Sequence, residues 1–212
     1  MRSTPNHSIE RTRSGSAGLA LIHSGPSLRY PRNPLMSNVR QHQTARDAPT
    51  QSETPLIRTT EKTDATAILC IVKESGQFDA DGIAYVQDTL AQHLASNGED
   101  IWLTADGGEP VGVAYCRPEP VASGTWNLLM LWTRSDRHRK GHGAALVKQL
   151  EQELQGRAAR LLVVETSGLP EFAPARAFYA KCGFVHEASI KNFFAAGDDK
   201  LVFTKPLASG AA

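Results

Sequence analysis

No window of this chain approaches the roughly 18 consecutive apolar residues of a membrane span, so no membrane partner is expected. Cysteine is scarce. Cys70, Cys116 and Cys182 are odd in number, widely spaced and without a CxxC pair. That argues against a disulfide framework or a zinc site and fits a reducing, cytoplasmic compartment. Each cysteine is expected to serve as a small buried hydrophobe. Charge of one sign is lacking too: a net charge of +1 gives no global bias toward nucleic acid or anionic lipid. No internal repeat is visible. What remains is a chain of 212 residues, 41% hydrophobic. That is enough for one ordinary domain with a real core and something extra.

The extra part lies at the front. Residues 1–55 contain seven Arg, no Lys and only three acids, Glu10, Asp47 and Glu53. Ser, Thr, Pro, Arg and Gln dominate, and the one apolar cluster, Leu19 to Ile22, is too short for a signal-peptide core. So little apolar surface does not offset ordering entropy, and 1–55 reads as a disordered extension. An organellar transit peptide and a true start at Met36 are the alternatives. In the rest of the chain acids outnumber bases, nineteen to sixteen.

From residue 56 to about 208 the pattern is that of a folded domain. "PLIRTT" suits a strand. "TDATAILCIVKESG" offers a Thr or Asp cap and a helical stripe of Ala67, Leu69, Cys70 and Ile71. "DADGIAYVQDTLAQHLASNG" carries Ile83, Val86, Leu90 and Leu94 on one helical stripe. "EDIWLTADGGEPVGVAYCRP" reads as a hairpin turning at "DGGEP", and "TWNLLMLWTRS" as a long apolar strand. "GHGAALVKQLEQELQGR" repeats Leu146, Leu150 and Leu154 at every fourth position of a helix. "ARLLVVETS" is a buried strand, and "PARAFYAKCGF" a short helix stopped by Gly183. Two strands, "FVHEASIKNFF" and "DKLVFTKPL", close the chain. The order β-α-α-β-β-β-α-β-α-β-β requires a mixed sheet with at least one parallel pair.

The chemistry concentrates at "RHRKGHGAAL", Arg137 to Leu146, where a strand gives way to a helix. The first amides of a helix have no internal partner, and with the helix dipole they form an anion site. Gly141 and Gly143 let the main chain approach an anion closely, while Arg139 and Lys140 add charge at the rim. The pattern suits a pyrophosphate, or simply a glycine-rich helix start with solvated cations. A Walker loop is absent, and the dinucleotide fingerprint fails because position 146 is Leu146.

Two segments taken together carry a resemblance. "HRKGHGA" (138–144) resembles the acetyl-CoA loop of the GNAT-type N-acetyltransferases: Arg or Gln, two free positions, Gly, a free position, then Gly or Ala. "RAFYAKCGF" (176–184) resembles the same family's downstream helix, one helix and one strand later. The resemblance spans roughly 56–207 and implies an α/β (α+β) GNAT fold, a mixed sheet of about six to seven strands with about four helices. It implies acetyl-CoA as co-substrate, no metal, and transfer to a primary amine by direct attack in a ternary complex. The acceptor is a small-molecule amine or a protein amino group.

Residue by residue, the resemblance places the pantetheine arm along Leu131, Trp132 and Thr133. A splayed strand there leaves amides free to polarise the acetyl carbonyl. It places the pyrophosphate on His138, Arg139, Lys140, Gly141, His142, Gly143 and Ala144. Tyr179 matches the tyrosine that protonates the leaving thiolate. Cys182, three residues on, is read as packing. Glu165, at the end of a buried strand, is either the general base or an organiser of the strand end. His186, Asp198 and Asp199 belong to the acceptor side, the two Asp most simply as a solvated turn in "AGDDK". Two departures stand out: His138 replaces the loop's opening Arg or Gln, and Phe172 replaces an Asn seven residues before the tyrosine. A non-catalytic acyl-CoA-binding sensor is the rival function. No nucleic-acid partner is expected, since "RSDRHRK" lacks a wider basic surface and aromatic platforms. A homodimer is left open.

Overall fold

The computed structural model describes residues 55–96 and 98–207. Apart from Pro55, the extension expected over 1–55 lies outside the described residues. The elements run β1 (Leu56–Thr59), α1 (Ala65–Glu74), α2 (Ala80–Ala95), β2 (Ile101–Asp106), β3 (Pro110–Pro118) and β4 (Thr125–Thr133). There follow α3 (His142–Gly156), β5 (Leu161–Ser167), α4 (Ala173–Lys181), β6 (Val185–Ala195) and β7 (Asp198–Pro206). The seven strands form one sheet in the order β1-β2-β3-β4-β5-β7-β6. Every neighbouring pair is antiparallel except the central β4–β5 pair.

Two cores sandwich the sheet. On one face Ile68 and Val72 of α1 and Val86 and Leu90 of α2 pack on Trp102, Val113, Tyr115 and Met130. On the other, Leu146, Leu150 and Leu154 of α3 and Tyr179 of α4 pack with Leu103, Leu128, Leu162, Val164 and Phe203. The three α3 leucines are fully buried. Each is worth about 1.5–3 kcal/mol relative to an exposed position, so their stripe fixes how α3 lies on the sheet.

Local signals explain the boundaries. Asp79 caps α2 by accepting from the Gly82 amide at 2.8 Å. The turn between β2 and β3 is the expected one, with Gly108 at φ +90° and its amide bound to Asp106 at 2.9 Å. The α4 stop is a Schellman motif: Gly183 sits at φ +85°, and the Phe184 and Gly183 amides return to the Tyr179 and Ala180 carbonyls.

The α1 face differs from expectation. Ile68, Ile71 and Val72 are buried, Ala67 and Leu69 are half-buried, and Cys70 is exposed. The segment "AILCIV" is apolar all round, so its sequence does not mark which face meets the sheet. Cys116 is the buried cysteine of the three. Burial pushes its thiol pKa well up, and the same cause raises that of half-buried Cys182.

Candidate active site

The centre of the sheet opens. Strands β4 and β5 pair only from Thr125↔Leu161 to Leu128↔Val164. Beyond Leu128, β4 stays paired with β3 as far as Thr133, while β5 continues against β7. The edge of β4 that faces the gap therefore has no strand partner from Leu129 onward. A bulge sits at the parting: Tyr115 pairs with Met130 and Cys116 with Leu128, leaving Leu129 between them, 46% exposed. The bulge also reverses the alternation of the strand. Trp126 and Leu128 face the α3 side, whereas past the bulge Leu131 faces that side and Met130 and Trp132 face α1 and α2. Buried backbone groups need partners, so a free strand edge at the centre of a sheet is a place for a ligand.

Above the parting, the chain turns through a short 3-10 segment, Ser135–Arg137, before α3 begins. The loop is tied down at both ends. The Arg134 amide donates to the Val111 carbonyl at 2.9 Å, and its guanidinium grips Asp136. His138 Nε2 donates to the Thr133 carbonyl at 3.0 Å. The ring of His138 thus closes the loop on the strand end. Arg139 takes φ +62° and Gly141 φ +86°. Gly141 is the N-cap, and its carbonyl receives the first helical bond, from Ala145, at 2.9 Å. The amides of His142, Gly143 and Ala144 come before that bond and have no acceptor within the helix. Arg139 and Lys140 are exposed beside them. Nδ1 of His142 is buried without a partner, and desolvation, reinforced by Arg137 and Lys140, holds its pKa below the usual imidazole value. The loop is therefore an electropositive nest of amides and side chains.

The two glycines do different work. A Cβ on Gly141 would meet nothing within 4 Å, so its requirement is the left-handed backbone alone. A Cβ on Gly143 would stand 3.3 and 3.4 Å from ring carbons of Phe178. Gly143 thus lets α3 start close against α4. Phe178 meets Tyr179 edge-on at 5.6 Å, and Phe184 and Phe203 enclose Tyr179 at 5.8 and 6.0 Å. Tyr179, 9% exposed, belongs to the same buried cluster as Leu128 and Val164, the last pair before the strands part. Arg176 fastens α4 to the end of β5, donating to the Ser167 and Leu169 carbonyls at 2.9 and 2.8 Å.

Opposite α3 and α4, the other face of the parted sheet carries Glu165. Lys200 Nζ binds its Oε2 at 2.9 Å and stands 3.7 Å over the Phe193 ring. Sequence reading gave no sign of this cation. Phe78, in the loop between α1 and α2, meets Trp132 edge-on at 6.0 Å and borders the same face. His186 turns instead to the helix side, 5.2 Å from Phe203. The expected solvated turn at Asp198–Asp199 is corrected. Asp198 is buried against the Ser167 hydroxyl, and Asp199 binds Lys191 at 2.7 Å and the Asn192 amide at 3.0 Å. The turn proper falls on Ala196–Gly197, where Gly197 takes φ +82°, so the aspartates begin β7, with Asp198 buried and Asp199 held at the surface by its β6 partners. Among the described residues no three His, Cys, Asp or Glu side chains are placed to hold a metal ion, and no helix is long and apolar enough to cross a membrane.

A seven-stranded mixed sheet parted at its parallel centre, with two helices on each face, is the GNAT α/β fold. The description "Acetyltransferase (GNAT) family" matches residues 67–184, more than half of the chain. The chain belongs to the GNAT acetyltransferase family. Among solved structures, a protein described as an acetyltransferase of this family from Desulfovibrio desulfuricans is similar at 29% identity and TM-score 0.69, covering 73% of this chain and 100% of that one. The ribosomal-protein-S18-alanine N-acetyltransferase of Escherichia coli shares the fold at 21% identity and TM-score 0.58, over 75% and 97%. An aminoglycoside 6'-N-acetyltransferase complexed with coenzyme A does so at 16% identity and TM-score 0.62, over 74% and 99%. No curated protein matches the chain by sequence.

Proposed function

We propose that the chain is an N-acetyltransferase that carries an acetyl group from acetyl-CoA to a primary amine by direct attack in a ternary complex. The observation that carries this reading is the free edge of β4 past the Leu129 bulge, lying beside the amide nest that opens α3. The nest fits a diphosphate: three helix amides, two exposed cations, and empty space where a Cβ of Gly141 would stand. Arg139, Lys140 and the amides of Gly141 to Ala144 bind that group, with His138 holding the loop. Leu131, Trp132 and Thr133 line the pantetheine arm with the strand edge. Acetyl-CoA supplies an activated thioester.

The chain's own groups then do three things. Amides of the β4 edge polarise the carbonyl toward which the amine lone pair moves. As the C–N bond forms and the C–S bond breaks, Tyr179 gives its phenolic proton to the departing sulfur, and solvent restores it. Glu165 takes the proton of the new ammonium group, directly or through water, with Lys200 fixing its carboxylate. No covalent intermediate on the protein is needed, in keeping with the raised thiol pKa of Cys182. The test is release of free CoA from purified protein offered a panel of primary amines. Acceptor-dependent thiol release supports the transferase; CoA binding without any such release identifies the sensor instead.

A further inference from the structure

The hairpin that joins β6 to β7 carries an aromatic ring, Phe193, that lies outside both cores and that the transfer chemistry does not use. The strand register jumps from Ile190↔Lys200 to Ala195↔Asp198, so residues 191–194 of β6 stand opposite Asp199 alone. The surplus residues form an arch, and hydrogen bonds fasten it. Lys191 Nζ binds Asp199 Oδ2 at 2.7 Å, the Asn192 amide donates to Asp199 Oδ1 at 3.0 Å, and the Gly197 amide donates to Asn192 Oδ1 at 2.8 Å. Asn192 takes φ +52°, a left-handed backbone that asparagine tolerates but that still carries strain. A single exposed aromatic is ordinary. This one is held in place by a strained and multiply bonded arch.

The place where the arch holds it matters. One face of the Phe193 ring covers Lys200 Nζ at 3.7 Å, and Phe194 stands edge-on to it at 5.1 Å, yet the ring stays 48% exposed. The Lys200 side chain is itself only 9% exposed, and its ammonium binds Glu165 at 2.9 Å. One buried cation therefore touches both the ring and the carboxylate. Glu165 is the residue of β5 immediately past Val164, where pairing with β4 ends. Ring, cation, carboxylate and parting thus follow one another across a single face of the sheet. On the far side of the parting, half-buried Trp132 of β4 and Phe78 belong to that same face. The carboxylates beside the ring, Glu165 and Asp199, each already hold a lysine. A second cation on the acceptor would meet Lys200 there rather than a free acid, whereas an apolar body would meet rings.

Building on the transferase reading above, we infer that Phe193 is a specificity-determining residue for the acceptor, and that the acceptor is an arylalkyl amine. Its amine meets Glu165 at the parting, and its aromatic body rests on the exposed ring of Phe193.

The test compares phenethylamine with ethylamine, which differ only by the ring. With acetyl-CoA saturating, kcat/KM should favour phenethylamine. Phe193→Ala should lower the ratio of the two values about fivefold, the scale of one aromatic contact. Using the ratio cancels the basicity of each amine and any loss common to both, such as one caused by uncovering Lys200. Phe193→Tyr keeps the ring and should keep the ratio. Phe193→Leu, which still covers Lys200, should lower it by a smaller factor. No preference for phenethylamine in the parent, or a ratio unchanged in the Ala and Leu variants, overturns the inference while leaving the transferase intact. If neither amine releases CoA, the transferase reading fails, and calorimetry then judges Phe193 by itself. Phenethylamine binding to the chain in the presence of CoA that weakens in Phe193→Ala and survives in Phe193→Tyr supports it; no binding, or binding unchanged in Phe193→Ala, overturns it.

Discussion

Gly141→Ala isolates the backbone demand of the helix junction. Gly141 sits at φ +86° with nothing near its missing Cβ, so the substitution introduces strain without a clash. A non-glycine residue in the left-handed region costs about 1–2 kcal/mol. Restricting the unfolded chain does not offset this, because the native φ is one that Ala resists. For a domain of this size each kcal/mol moves Tm by about 2–4 °C, so a fall of about 2–8 °C is expected by circular dichroism. The strain acts on the amides of His142 to Ala144, which the Gly141 turn aims. Should the turn relax by rotating φ, those amides rotate too, and CoA affinity falls together with Tm. Gly141→Asn, whose side chain tolerates the left-handed region, should recover much of both losses. A Gly141→Ala protein as stable as the parent, with undiminished CoA affinity, would show that the turn is not left-handed in solution. The account of the anion nest would then be wrong.

Other sites give independent checks. Tyr179→Phe removes the proposed acid while keeping the ring packing, so turnover should fall about 100-fold or more with CoA affinity nearly unchanged; an unaltered rate would remove Tyr179 from the chemistry. Gly143→Val drives its branches into Phe178, and overpacking of that kind costs about 1–3 kcal/mol; chemical denaturation should show the loss even without ligand. Asp64 is buried and bound to Arg58 at 2.6 and 2.9 Å and to Thr104 at 3.1 Å. The Arg58 guanidinium holds its carboxyl below the usual carboxylate range. Its stabilisation is therefore complete above the unfolded value of about 4 and is lost as pH falls through the lower folded value. Asp64→Asn should cost about 3 kcal/mol at neutral pH, and the gap to the parent should shrink in urea melts at acid pH.

The elements whose sequences carry one clear signal were legible. The α3 leucines repeat at helical spacing and are all buried, and Gly183 ends α4 in the left-handed conformation its position predicts. The β-α-α-β-β-β-α-β-α-β-β order is the observed one. Where the pattern is degenerate the sequence misleads. In α1 six consecutive apolar residues leave the buried face undecided, and Cys70 ends outside. In β4 the run "LLMLW" conceals the bulge, because no glycine or polar residue marks the reversed alternation at Leu129. The aspartates of "AGDDK" look like turn residues by composition, yet both begin β7: a hydrogen bond with Ser167 buries Asp198, and Lys191 and Asn192 of β6 hold Asp199 at the surface. Of the site, the nest and Tyr179 are local in sequence and could be read there. The Glu165–Lys200 pair exists only once β7 is in register beside β5, so no linear motif announces it.

The central claim is that amides at the start of α3 grip a diphosphate while a thioester lies along the free edge of β4. Calorimetric titration of the chain with CoA and, separately, with pantetheine, which lacks the diphosphate, tests it most directly. The account predicts saturable CoA binding and much weaker pantetheine binding, with the difference reduced in Gly141→Ala. Absence of CoA binding, or equal affinity for the two, would contradict it.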